Sequence, residues 1–254
     1  MKEFRYSDLQ RTARVCCEVA AAYPTITREL DHQPDQRSIR YFENFAQTTA
    51  DWTPELWEAA TLSCAMHGIS QIVLFLLQEH DVSGINQRFL NRLEAQTQSN
   101  SRRVQLQTEE CLHLIQALTD ESIDVLLLKG LPNAWNLYVD PSHRPMADVD
   151  LLVHESDLLA AVHAMIRAGH QVIGRAERHF ELCPAGKSGY SHMWSDHPDN
   201  RRGVDVHPRL YYAPMQVTVD CSTGAWERSV QTTINGSRQR CLSDIDAIIL
   251  ASLE

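Results

Sequence analysis

Two aspartates stand one residue apart inside an otherwise apolar run, residues 144–153, which reads RPMADVDLLV. A buried strand ordinarily takes Val, Leu and Ile at such positions. Side chains alternate along a strand, so Asp148 and Asp150 are expected to share one face while Val149 and Leu151 point to the other. Two like charges side by side on a strand are unfavourable unless something positive lies between them. The pair therefore predicts a site that holds a cation.

A later strand repeats this arrangement. In GVDVHP, residues 203–208, the valines are expected to point inward, while Asp205 and His207 share the opposite face. Three carboxylates at one edge of a sheet, those of Asp148, Asp150 and Asp205, are best explained by divalent metal. Oxygen ligands favour Mg²⁺ or Mn²⁺, whose coordination is completed by substrate phosphates. Two such ions, about 3.5–4 Å apart, clamp the attacking and leaving oxygens of a phosphoryl or nucleotidyl transfer.

The first half of the chain has helical patterning. TPELWEAATLSCAMHG offers Thr53 as the N-cap and Gly68 as the end of one helix, and a second helix is expected over residues 70–79. The polar segment 86–118 has a discontinuous apolar stripe, typical of a helix. The stretch TQSNSRR, residues 97–103, is expected to break that helix in two.

The second half has mixed patterning. IDVLLLKG predicts a buried strand that ends in a tight turn, and LPNAWNLYV predicts a short helix. SDLLAAVHAMIRAG predicts a helix with Ser156 as N-cap and Gly169 at its C-terminal end. HQVIG, HFELC and GVDVHPRL predict strands, and TTINGSRQRCL predicts a hairpin with an Asn-Gly turn. A last helix is expected after Ser243, where Asp244 and Asp246 are favoured by capping and the helix dipole rather than by metal.

This order of elements predicts an α+β fold, in which a helical domain, residues 1–120, precedes a mixed-sheet domain, residues 121–254. The formal net charge of −10 argues against nucleic acid as a partner. Seven cysteines, an odd number with no CxxC pair, indicate reduced thiols. The N-terminus lacks an apolar signal core, and the run IVLFLL is too short to cross a bilayer. We expect a cytoplasmic protein with no membrane partner.

The ordered motifs LLLKG, LYVDPSHRPMADVDLLV and GVDVHPRL resemble those of the DNA polymerase β-type nucleotidyltransferase superfamily. The chain is more closely similar to a bacterial branch of uncharacterised nucleotidyltransferases. That branch has a Lys-Gly turn, a Tyr-x-Asp-Pro-like segment, an Arg, an Asp-h-Asp pair and a later h-Asp-h-His, where h is apolar. The resemblance covers about residues 105–254, and the helical N-terminal part also fits. It implies a polymerase β-like nucleotidyltransferase core for the second domain.

The resemblance also implies an activity. The enzyme would move a nucleoside monophosphate from a nucleoside triphosphate (NTP) to a hydroxyl of a small molecule, peptide or protein and release pyrophosphate. Asp148 and Asp150 would hold two Mg²⁺ or Mn²⁺ ions beneath the triphosphate. Asp205 would complete one metal site and take the proton from the acceptor hydroxyl.

Four further residues are expected to bind the nucleotide. Gly130 permits close approach of the backbone to phosphate, and Lys129 and Arg144 would supply positive charge. His207 shares a face with Asp205, so it either touches the substrate or a metal-bound water, or is a buried hydrogen-bonded histidine. The superfamily usually has Gly-Gly or Gly-Ser at the turn, whereas here a leucine follows the glycine.

Two other functions fit the same residues. A nucleotide-binding or degenerate, non-catalytic module is favoured by the missing second Gly or Ser, and by the expectation that related proteins continue past the final helix begun here. A partner-binding protein would use its helical half for binding and its α/β half as structure. The sequence gives no basis for choosing among ATP, GTP, CTP and UTP.

Overall fold

The computed structural model divides the chain into two compact units. The helical unit comprises residues 1–102 and 137–145, and the sheet unit comprises residues 103–136 and 146–254. Both units share one long helix, inside which the division between residues 102 and 103 falls. The domain boundary at residue 120 stays a prediction. The structure describes residues 5–23, 36–176, 179–189, 197–212 and 219–251.

The helical unit is built around an aromatic core. Its helices are α1 (Tyr6–Ala20), α2 (Gln36–Thr49), α3 (Pro54–Met66), α4 (Ser70–Glu79) and the first part of α5 (Gln87–Asp120). Trp52 and Trp57 meet edge to face, with ring centroids 5.0 Å apart, and Phe89 packs on Trp57. The prediction of a helix over residues 70–79 is confirmed, and α3 begins at its predicted N-terminus, after Thr53.

The predicted break in the long helix is wrong, because α5 runs unbroken from Gln87 to Asp120. Two polar residues of the predicted break, Asn100 and Arg103, are buried, and they continue a buried polar stripe at helical spacing that includes Gln96 and Gln107. Burial of a polar stripe hides the periodicity that apolar residues would have revealed.

The sheet unit confirms the predicted α+β class. Among the described residues, seven strands form a mixed sheet in the order β3-β4-β5-β2-β1-β9-β8. Strand β2 is parallel to β5, and β1 is parallel to β9, while the remaining neighbours are antiparallel. The elements are β1 (Val125–Leu127), α6 (Leu131–Leu137), β2 (Asp148–Val153), α7 (Leu158–Arg167), β3 (His170–Arg175), β4 (Phe180–Pro184), β5 (Gly203–His207), β6 (Tyr211–Tyr212), β7 (Val219–Asp220), α8 (Ser222–Arg228), β8 (Val230–Ile234), β9 (Ser237–Cys241) and α9 (Asp244–Ala251).

The two faces of this sheet pack differently. Val149, Leu151 and Val204 point to the face that is covered by apolar residues of α5, α6 and α7. On the other face, Leu152 packs with Trp226 of α8 in a smaller apolar cluster. Side chains alternate along a strand, so Asp148, Asp150, Asp205 and His207 belong to this second, thinly covered face.

Local signals explain the ends of several elements. Asn235 and Gly236 both have positive φ, 47° and 79°, which confirms the Asn-Gly hairpin turn between β8 and β9. Ser243 Oγ accepts a hydrogen bond from Asp246 N at 3.2 Å, which confirms the predicted cap of α9. The cap predicted for α7 is wrong, because Ser156 lies in a 3₁₀ turn and Asp157 takes the N-cap position.

In the described part of the chain, no single helix is long and apolar enough to cross a membrane. Helices α3 and α4 meet that test only as a pair, and the pair is bent by 117°.

Candidate active site

The pairing of β2 with β5 brings the acidic motifs together. Asp150 and Asp205 are register partners on these adjacent parallel strands, and Asp148 is the partner of Gly203. On β4, the next strand, Glu181 is the partner of Asp205. Residues in register on one face of a sheet have neighbouring side chains. Carboxylates from three adjacent strands therefore lie in one row.

Asp150 lies at the buried end of this row and is only 5% exposed. Its Oδ1 lies 3.1 Å from His207 Nε2, and its Oδ2 lies 3.8 Å from the Lys129 ammonium. Oδ2 is buried and accepts no hydrogen bond from the described residues. A buried carboxylate oxygen without a donor is costly, and the Lys129 ammonium at 3.8 Å is too far from Oδ2 to donate a hydrogen bond to it.

The other two aspartates carry negative charge that their surroundings do not balance. Burial, together with the charge of Asp148, raises the pKa of Asp205 to about 6, against the opposing effect of His179. Burial and the charge of Asp150 also raise the pKa of Asp148, although Lys129 acts in the opposite direction. A cation bound among these carboxylates would favour their ionised forms.

These observations fit divalent metal, since the row offers hard carboxylate oxygens, one of them without a hydrogen-bond donor. The most compact group, however, is not the aspartate trio. Among the described residues, the ligand atoms of His179, Asp205 and His207 lie within 4.8 Å of one another, and the three aspartates form no group that compact. The site therefore joins imidazole nitrogens to carboxylate oxygens.

His179 is a residue that the sequence analysis missed. It immediately precedes β4, and its Nε2 lies 3.4 Å from Asp205 Oδ2 and 3.6 Å from Glu181 Oε1. The signal was present, because His179 and Glu181 stand two residues apart in HFELC, the same spacing as Asp148 and Asp150. A third strand with polar residues on one face indicates the same site.

The Lys-Gly turn lies beside the acidic row. Leu128 N donates to Asp150 O at 3.2 Å, which holds the end of β1 against β2. Gly130 has φ +68°, a conformation that favours glycine, and an added Cβ would meet Met146 Sδ at 3.5 Å. The chain turns here into α6, and Lys129 is left next to Asp150.

A buried arginine orders the segments that lead into both acidic strands. Arg103 is fully buried, and its guanidinium donates to the carbonyls of Met146 and Ala147, which precede β2, at 3.1 and 2.8 Å. It also donates to those of Asn200 and Arg201, which precede β5, at 3.3 and 3.0 Å. The sequence analysis assigned this residue to a helix break. The signal that could have identified it is the helical spacing of the polar residues Gln96, Asn100, Arg103 and Gln107.

Arg144, which the sequence analysis assigned to the nucleotide, lies in the segment 137–145 of the helical unit. It follows a 3₁₀ turn in which Asp140 Oδ1 accepts a hydrogen bond from Ser142 N at 2.7 Å. Its Nε is buried and has no hydrogen-bond partner among the described residues. A role for Arg144 at the nucleotide stays a prediction.

An α+β fold with aspartates in register on adjacent strands, beside a Lys-Gly turn, is the arrangement expected of a nucleotidyltransferase. The comparison with known families agrees, since the family described as "Uncharacterised nucleotidyltransferase" matches residues 53–254. The chain belongs to this family. The match includes helices α3 to α5, so the helical region is part of the family's pattern.

Two solved structures have a weaker likeness to the chain. The solution structure of the antibiotic-resistance factor ANT(2'')-Ia is 15% identical, with a TM-score of 0.38 over 57% of this chain and 69% of that one. The lincosamide antibiotic adenylyltransferase LnuA, crystallised with lincomycin, is 10% identical, with a TM-score of 0.38 over 56% and 83%. These values support no inference about substrate. No protein with a curated description matches the chain.

Proposed function

We propose that the protein transfers a nucleoside monophosphate from an NTP to a hydroxyl of a small molecule, peptide or protein and releases pyrophosphate. Membership of the nucleotidyltransferase family supports the class of reaction. The observation that carries the proposal is the register of Asp150 with Asp205, which places carboxylates with unbalanced charge side by side on two strands.

In this proposal, Asp148, Asp150 and Asp205 hold Mg²⁺ or Mn²⁺. The bound ions would neutralise the triphosphate and the charge that develops as pyrophosphate leaves. Asp205 would accept the proton of the acceptor hydroxyl, because its carboxylate lies in register with Asp150 on the adjacent strand, beside the ions and the triphosphate that they would hold.

The nucleotide would lie against the turn between β1 and α6. Gly130 has a left-handed conformation, and because glycine has no side chain, a phosphate can approach the backbone closely. Lys129 supplies a positive charge close to Asp150. We assign Arg144 and His207 to the nucleotide as well. Protein, peptide or small-molecule acceptors suit the acidic chain better than nucleic acid, and we place the enzyme in the cytoplasm.

A test uses each of ATP, GTP, CTP and UTP, labelled at the α-phosphate, with Mg²⁺ or Mn²⁺ and pools of hydroxyl-bearing acceptors. The measurements are pyrophosphate release and label on the acceptor. Asp148→Asn and Asp150→Asn should each remove both signals while circular dichroism remains unchanged. Asp124→Asn, an exposed aspartate of the same unit, should keep full activity. Equal turnover in Asp150→Asn and the native protein would exclude the proposal.

A nucleotide-binding module without turnover is the second candidate. It is favoured by the contacts of Asp150 with His207 and Lys129, which occupy a carboxylate that the transfer reaction needs for metal. Calorimetry would then show NTP binding with no labelled product from any acceptor. Detection of a nucleotide-labelled acceptor would exclude this candidate.

A further inference from the structure

The compact group at the end of the acidic row has two imidazoles and one carboxylate. His179 comes from the residue before β4, while Asp205 and His207 come from the same face of β5. The two imidazole rings lie 5.0 Å apart between centroids and are tilted by 40°. The ligand atoms of all three residues lie within 4.8 Å of one another.

One distance within this group matches that between ligands in one coordination sphere. With metal bonds of about 2.1 Å, adjacent ligands lie ~3.0 Å apart in octahedral and ~3.4 Å apart in tetrahedral coordination. His179 Nε2 lies 3.4 Å from Asp205 Oδ2. His207 Nε2 lies 3.1 Å from Asp150 Oδ1, so the same sphere has a further carboxylate within reach.

The group is neither fully buried nor freely exposed. The side chains of His179, Asp205 and His207 are 22%, 18% and 19% exposed. This degree of exposure restricts the side chains while leaving one side open to solvent or to a ligand. A site with three protein ligands and an open side can bind a substrate oxygen directly.

We propose that His179, Asp205 and His207 bind one first-row transition-metal ion, so that this protein prefers Mn²⁺, Co²⁺ or Zn²⁺ to Mg²⁺. Imidazole nitrogen is a ligand for these ions, whereas Mg²⁺ takes oxygen ligands and keeps several waters. A site of carboxylates alone would show a smaller preference, because it lacks the nitrogen ligands. The inference deepens the proposed function, with which it shares Asp205 and His207, but the two histidines would bind metal whether or not nucleotide transfer occurs.

Glu181 strengthens the assignment. Its Oε1 lies 3.6 Å from His179 Nε2, and it is the register partner of Asp205. A second carboxylate next to the same nitrogen adds negative charge to the site and favours a bound dication. An ion pair between His179 and Asp205 alone would not need Glu181 as a second carboxylate beside the same nitrogen.

The experiment titrates tag-free, chelator-treated full-length protein with Co²⁺, Zn²⁺ and Mg²⁺ in the absence of nucleotide. Calorimetry measures affinity, and the visible absorption of Co²⁺ reports its coordination. We expect Co²⁺ and Zn²⁺ to bind at least ~10-fold more tightly than Mg²⁺, in the order expected for sites with nitrogen ligands. His179→Gln should weaken Co²⁺ binding ~10-fold or more and change its spectrum. His163→Gln, an exposed histidine on α7, is the matched control and should bind as the native protein does.

If His179→Gln fails to fold by circular dichroism, His207→Gln replaces it with the same expected loss. Unchanged Co²⁺ affinity and spectrum in a folded histidine variant would overturn the inference, as would Mg²⁺ binding as tight as Co²⁺. The two proposals fail separately. Loss of NTP binding with Co²⁺ binding intact contradicts the proposed function alone, and the reverse result contradicts this inference alone.

Discussion

In the sheet unit, the Arg103 guanidinium and the aspartates of β2 and β5 have their polar atoms satisfied to very different degrees. The guanidinium of Arg103 is fully buried and donates to carbonyls in both segments that lead into β2 and β5. The aspartates at the start of those strands crowd one another, and Asp150 Oδ2 has no hydrogen-bond donor among the described residues. The first group stabilises the fold, and the second carries repulsion that a ligand would relieve.

Under the proposed function, this contrast separates the residues that stabilise the unit from those that bind the substrate. Carbonyl partners for Arg103 fix the backbone that leads to the aspartates, so the carboxylates stay close although they repel one another. Residues at binding and catalytic sites commonly reduce stability in this way, and the rest of the fold compensates. The substitutions below test this comparison, starting with the largest expected effect.

Replacement of Arg103 should cause the largest loss. Arg103→Met keeps the length of the side chain but leaves several buried carbonyls without a donor, so we expect the free energy of unfolding to fall by about 3–5 kcal/mol. Urea unfolding followed by circular dichroism measures it. Arg102→Met, at the exposed neighbouring position, should change stability by less than ~1 kcal/mol. Equal effects in the two variants would contradict the positioning role of Arg103.

The ion pair of Arg202 with Glu110 is a second buried charge with partners, and its loss should have a smaller effect on stability. Arg202 is 5% exposed, and its Nε donates to Glu110 Oε2 at 2.7 Å while its Nη1 donates to Pro198 O at 2.6 Å. Glu110→Gln removes the negative partner of a buried cation, and we expect a loss of about 2–3 kcal/mol in the same unfolding assay. Glu109→Gln, on the exposed face of α5, should be close to neutral. If Glu110→Gln left the free energy of unfolding unchanged, the Arg202–Glu110 pair would contribute no more to stability than a surface ion pair.

Replacement of an aspartate in the acidic row should raise the stability of the protein, whereas the two preceding substitutions lower it. Because the pKa of Asp205 is raised from 3.8 to about 6, its contribution to stability is fully present below pH 3.8 and is lost as the pH rises through about 6. In chelator, Asp205→Asn should therefore be more stable than the native protein by about 1–2 kcal/mol at pH 8. The difference should disappear near pH 4. Urea unfolding at both pH values measures it, and a destabilised variant at pH 8 would contradict the predicted repulsion.

The turn that holds Lys129 should give the smallest effect. Gly130→Ala introduces a Cβ at φ +68°, so we expect a loss of about 1 kcal/mol and weaker NTP binding. Gly189→Ala meets no atom within 4 Å and is the control for the loss of a glycine. Thermal unfolding and calorimetry measure the two effects. Full stability in Gly130→Ala would show that the turn adapts without strain.

The parts of this molecule that the sequence predicted follow from local periodicity. The alternation in ADVDLLV and GVDVHP placed Asp148, Asp150 and Asp205 on one face, and the structure puts them there through the pairing of β2 with β5. The Asn235–Gly236 turn and the cap of α9 are similarly local, because the residues that determine them are neighbours in the sequence.

What the sequence did not show depends on contacts between distant segments. Arg103 lies in a polar stretch, and its importance comes from carbonyls more than 40 residues away. His179 becomes significant only when β4 pairs with β5, a neighbour relation that the order of strands along the chain does not fix. The helix through residues 97–103 was missed for the same reason, because the burial of its polar side chains has no local signature.

The proposed function requires Asp148, Asp150 and Asp205 to bind an NTP through a divalent cation. Calorimetric titration of each NTP into the native protein, with Mn²⁺ or with chelator, tests it most directly, since it needs no knowledge of the acceptor. We predict that one NTP binds only when Mn²⁺ is present, and that its affinity falls at least ~10-fold in Asp150→Asn and is unchanged in Asp124→Asn. Equal affinity in Asp150→Asn and the native protein, or NTP binding that is indifferent to chelator, would contradict the account.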